Sequence, residues 1–215
     1  MRIAPITAPA GTIATAPASA LAAAPLPTTP TTVDAALATM RHGALGTALS
    51  KATLDNGIRI VVTEEAGFAN YSNHTVRVNP KVLAGGYSVP GVLAHELGHA
   101  YVDLSGMLKP LKDLPYRLGT VGNEIVAEAL ASAIARDSGF ARGASSVTTP
   151  EGTLRSMRGA LDNILTSDFY VKYYKIDLTK CTEQVRAETA RTLYTLAAGA
   201  ITKLGGTVPP EYAVA

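Results

Sequence analysis

Cysteine is nearly absent: Cys181 stands alone. No intramolecular disulfide can form, and the fold gains nothing from an oxidising compartment. A lone cysteine of this kind reads as a small buried hydrophobe. Net charge is almost as scarce, +2 over 215 residues, so nothing points to the strongly basic surface that nucleic acid or an anionic membrane would call for. Long apolar runs are missing, so no segment has the length needed to cross a bilayer. Acidic residues are missing before Asp34, and there are only four histidines. What remains, 47% hydrophobic and 17% charged, suits one ordinary soluble domain with a full core.

The acid-free N-terminus is unlike the rest in other ways too. Residues 1–32 are built from Ala, Pro and Thr around a single charge, Arg2. Pro5, Pro9, Pro17, Pro25, Pro27 and Pro30 interrupt any helix or strand, so the segment is expected to be disordered. "ALAAAP" has the small residues of a secretory cleavage site. Yet three of the prolines fall where the apolar core of such a signal belongs.

From Val33 the pattern is orderly, and residues 33–215 read as one domain. "TVDAALATMRHGALGTALSK" repeats Ala36, Leu37, Met40, Leu45, Ala48 and Leu49 at helical intervals, with Thr32 as N-cap. "GIRIVVT" and "HTVRVNP" are short alternating β-branched runs and predict strands. Pro80 suits the second to a strand end or a sheet edge. "VPGVLAHELGHAYVD" and "VGNEIVAEALASAIARDSG" predict helices, the latter ending near Gly139, with "LSGMLKPLKDLPYRLGT" as the loop between them. Pro150 is placed to open a further helix carrying Leu154, Met157, Leu161, Ile164 and Leu165. A last helix turns Val185, Leu193, Leu196, Ala200 and Leu204 inward. The sum is a mainly helical α+β domain with one small sheet ahead of the histidine helix.

His95 and His99 lie four residues apart on that helix, hence on one face with Cβ atoms about 5–6 Å apart. Both can turn an imidazole nitrogen to one tetrahedral Zn²⁺. Glu96, rotated around the helix edge, can reach a water there without ligating. This is the logic of the H-E-x-x-H motif, two ligands and a general base from one turn. Without a metal, two histidines and a glutamate would have to be buried beside Val92, Leu93, Ala94, Leu97 and Ala100, which is costly unless they are paired. Gly98 leaves room for a metal or for a closely packed element. A catalytic zinc usually takes a third protein ligand and leaves a fourth position open. Glu124 and Glu128 share a face of an otherwise apolar helix. One can ligate while the other accepts the N–H of a ligand imidazole. Asp103, one turn beyond His99, can orient His99 or simply close the helix.

His95-Glu96-x-x-His99 followed by Asn123-Glu124-x-x-x-Glu128 resembles the gluzincin pattern of thermolysin-type zinc metallopeptidases. The resemblance implies a zincin-like fold, one Zn²⁺ per chain, Glu124 as third ligand and Glu128 as the acid that orients the first histidine. Glu128 stands where that pattern has Asp, and the interval between His99 and Glu124 is longer. A small HELxH protein with an export-like N-terminus also resembles bacterial type III effector metalloproteases, some related to clostridial neurotoxin light chains. "TSDFYVKYYKI" is similar to an aromatic-Lys-aromatic segment of those light chains. That likeness implies a monomeric protease secreted into a host cell to cut a host protein. In such enzymes an Arg and a Tyr after the metal helices stabilise the oxyanion. Arg191 and Tyr194 match that role here, with Tyr170, Tyr173 and Tyr174 as rivals. Zincins commonly align substrate against an edge strand, for which "HTVRVNP" is the candidate. His42 and His74 are expected at the surface.

Overall fold

Apolar residues recurring at three- and four-residue intervals make most of the chain helical, and a three-stranded sheet completes an α+β architecture. The computed structural model describes residues 30–143, 145, 148, 154 and 156–213. The expected disorder of residues 1–29 and the helix start at Pro150 lie outside them. Among the described residues, no helix is long and apolar enough to cross a membrane.

Helix α1 (Val33–Met40) starts at Thr32, whose side-chain oxygen accepts the Ala35 amide at 3.2 Å. The single helix expected here is two, because α2 (Ala44–Leu54) begins afresh after Gly43. Asp137, from a helix far along the chain, caps it by accepting the Leu45 amide at 2.8 Å. A Cβ on Gly43 would lie 2.2 Å from that carboxylate oxygen, so the glycine admits the cap.

The strands are β1 (Arg59–Val62), β2 (Ala69–Ser72) and β3 (Thr75–Val78), in the order β1-β3-β2. β2, which the sequence reading did not anticipate, forms a hairpin with β3 across Asn73 and His74. Both turn residues take positive φ, 49° and 56°, as a tight hairpin turn requires. β1 pairs with the other side of β3 in parallel. This corrects the expectation for "HTVRVNP": β3 is the central strand, with Thr75, Val76 and Val78 buried, and the edges are β1 and β2. Of the two uses expected for Pro80, it follows the end of the strand and does not mark a sheet edge. It opens the short helix α3 (Pro80–Ala84) behind an Asn79 cap.

Helix α4 (Val89–Leu104) carries the histidine motif and is buried nearly all round. The connection after it is not wholly a loop, since it contains α5 (Leu108–Lys112). Helix α6 (Leu118–Ser138) is also largely buried and ends at Gly139 in the left-handed conformation, as expected. α7 (Met157–Thr166), α8 (Asp168–Tyr174) and α9 (Glu183–Lys203) complete the helices. α1 and α2 pack on α4, α7 and α9 pack on α6, and β2 and β3 lie against α4.

The most extensive packing is α4 on α6. A Cβ on Gly98 would stand 3.1 Å from both Cα and the carbonyl oxygen of Ala127, so the two backbones approach as closely there as a side chain would forbid. Of the two uses the sequence allowed for Gly98, the packed neighbour is the observed one. The crossing sets His95 and His99 opposite Glu124 and Glu128. Gly98→Val is therefore expected to lower stability by about 1–3 kcal/mol through overpacking. Equal denaturation midpoints for metal-free wild type and variant would show the crossing to be looser than described.

Candidate metal centre

At the crossing, Nε2 of His95 lies 3.1 Å from Nε2 of His99. Oε2 of Glu124 completes a triangle, 3.4 Å from the first nitrogen and 3.6 Å from the second. These three atoms form a group able to hold a metal ion. Tetrahedral bonds of about 2.0–2.1 Å place ligand atoms roughly 3.3–3.4 Å apart, so the observed triangle has the edges of one tetrahedral face. The donor chemistry agrees. Two imidazole nitrogens and a carboxylate oxygen, facing one another in a partly buried place, require a cation or shared protons between them.

Glu128 settles which nitrogen of His95 is available. Its Oε2 accepts from Nδ1 of His95 at 3.1 Å and from Nη2 of Arg142 at 2.7 Å. Burial raises the Glu128 pKa, but the His95 hydrogen bond and the Arg142 charge outweigh it and bring it down to about 2. An ionised carboxylate only accepts, so Nδ1 of His95 carries the hydrogen and Nε2 faces the triangle. Without metal, burial lowers the His95 pKa while the bonds to Glu124 and Glu128 raise it, and the result is about 10. A proton then occupies the place a cation would take. Glu124 is shifted the opposite way: burial raises it, and the two histidines hold it well below the usual carboxylate range. Glu124 thus stands in the triangle and Glu128 behind His95.

Glu96 is 7% exposed and lines, with His95, Glu124 and Arg142, a cavity of about 450 Å³. Phe68 and Tyr87, edge to face at 4.9 Å, and Tyr170 of α8 also line it. So does Ala69 of β2, which puts one true edge strand beside the centre.

Other sequence-derived assignments move. Asp103 does not orient His99. Its Oδ2 accepts the hydroxyl of Tyr71 at 2.8 Å, tying β2 to the end of α4, and Nδ1 of His99 is buried with no partner. Burial and that bond push the Tyr71 hydroxyl up to about 12. Arg191 is exposed on α9 and Tyr194 packs against the core, so neither lines the cavity. The tyrosine at the centre is Tyr174, one of the rivals, whose hydroxyl donates to Oε1 of Glu124 at 2.9 Å. Burial and the Glu124 charge raise its pKa far above the ordinary value, so it stays a donor. Tyr173 is exposed. His42 and His74 are exposed, and Cys181 is buried, as expected. Arg142 was missed, since a single arginine after a helix-ending glycine carries no sequence pattern. No family model matches the chain, and no curated protein or solved structure matches it.

Proposed function

We propose that this chain is a zinc-dependent endopeptidase with a zincin-like domain, hydrolysing a peptide bond in an extended protein substrate. The observation that carries this reading is the triangle of His95, His99 and Glu124, two of whose members, His95 and Glu124, line one cavity with Glu96. Among common cations, zinc suits a set of two imidazoles and one carboxylate at tetrahedral spacing. When bound here, the ion supplies Lewis acidity, lowering the pKa of a water it holds and polarising the scissile carbonyl.

The chain's own residues do the rest. Glu96 accepts the attacking water's proton as the C–O bond forms, then returns it to the leaving nitrogen as the C–N bond breaks. Tyr174 keeps Glu124 turned to the histidines by donating its hydroxyl to Oε1. Glu128 holds the His95 tautomer. β2, the edge strand beside the cavity, is the one that can pair with an extended substrate. The acid-free, Pro-interrupted composition of residues 1–32 supports export by type III secretion and a host protein as substrate.

Purified protein is expected to carry about one zinc per chain and to cleave an unfolded protein substrate. Glu124→Ala should lose both the metal and the cleavage. Wild type that stays metal-free after zinc reconstitution and desalting, by mass spectrometry, would remove the reading.

A further inference from the structure

Arg142 is nine-tenths buried beside the metal centre without belonging to the donor set. Its loop, directly after α6, folds back onto the first turn of α4. Ser88 Oγ donates to the Ala141 carbonyl, which pins the loop to the start of the histidine helix. Gly91 makes the seat. A Cβ there would lie 2.6 Å from the Arg142 carbonyl oxygen and 3.1 Å from Nη1, so any side chain would push the arginine away. From this seat Nη2 reaches Oε2 of Glu128 at 2.7 Å, the same oxygen that accepts Nδ1 of His95. Nε is buried with no partner. A guanidinium is buried with an unused donor only where the rest of its contacts hold it, and here that contact is Glu128.

We propose that Arg142 is a positioning residue for the metal centre: seated by Gly91 and Ser88, it fixes the Glu128 carboxylate and through it the His95 imidazole. This inference rests on the metal-binding reading above. The placement is distinct from a role as a mere charge, and the two have opposite signs. A positive charge a few ångströms from a bound cation repels it, so a charge-only role weakens binding and its removal tightens it. A positioning role strengthens binding, and partners that orient a ligand histidine commonly contribute 10–100-fold in metal affinity.

The test is the Zn²⁺ dissociation constant from chelator competition on the full chain, with thermal melts of the metal-free proteins alongside. Four proteins are compared: wild type, Arg142→Gln, Arg142→Lys and Gly91→Ala. Arg142→Gln and Gly91→Ala are expected to loosen zinc by about 10–100-fold. Arg142→Lys, which keeps the charge but not the planar fork, is expected to fall between them and wild type. Gly91→Ala retains every charge and shifts only the seat, so it separates placement from electrostatics. Tighter zinc in Arg142→Gln with unchanged zinc in Gly91→Ala would overturn the proposal in favour of a charge effect. Lower melting temperatures with unchanged dissociation constants would overturn it in favour of a purely structural role. A wild type that binds no zinc would remove the metal reading itself, whereas zinc binding that ignores Arg142 and Gly91 would remove the positioning role alone.

Discussion

Glu96→Gln is expected to keep about one zinc per chain and to lose roughly 10²–10⁴-fold in kcat, the range that a positioned general base supplies. The substitution is nearly isosteric. It leaves α4 intact, and it touches none of the three donor atoms, which come from His95, His99 and Glu124. What it removes is, among the described residues, the one carboxylate on the cavity wall that is neither in the triangle nor hydrogen-bonded to His95 and Arg142. Metal content by mass spectrometry and initial rates of peptide cleavage together check the claim. A zinc-loaded Glu96→Gln protein that turns over like wild type would end the assignment of Glu96 as base. Loss of zinc from this variant would mean instead that Glu96 reaches the ion.

How much of this could be read beforehand divides along one physical line. Groups four residues apart on a helix are neighbours whatever the rest of the chain does, so His95 with His99 and Glu124 with Glu128 were legible as pairs. Thr32 as a cap and Gly139 as a stop were legible for the same local reason. Contacts between distant segments were not. Tyr174 meets Glu124 across 50 positions, Tyr71 meets Asp103 across 32, and Asp137 caps α2 across 92. Strand order failed likewise. Asn73 before His74 was a usable turn signal for the β2–β3 hairpin, but nothing local says that β1 pairs on the far side of β3. Once β3 is central, it is its neighbour β2 that borders the cavity. Arg191 and Tyr194 share a helix face by spacing, but α9 packs on α6 and α7, and none of its residues is among those lining the cavity.

Glu128→Ala carries the largest expected cost to the fold. The residue is buried, and its carboxylate is the shared partner of Arg142 and of Nδ1 of His95. Removing one member of a buried pair leaves the other charge uncompensated, which costs about 3–5 kcal/mol. The cost should depend on pH in a definite direction. In metal-free wild type the folded-state pKa of Glu128 is about 2, below its ordinary value of 4.5. Its contribution to stability is therefore fully present above about pH 4.5 and is lost as pH falls towards 2. The alanine variant has no such contribution to lose. Its denaturation midpoint should lie well below wild type at pH 6 and converge on it near pH 2. His95 acts in the opposite sense in wild type. Its folded pKa is raised to about 10, so its share is present below about 6.5 and fades as pH rises through 10. Urea titrations of the metal-free proteins at pH 2, 4, 6, 8 and 10 separate these contributions. A stability gap between wild type and Glu128→Ala that does not narrow in acid would show that Glu128 is not held as an ionised partner of Arg142. In that event Glu128 could not be what fixes the tautomer of His95.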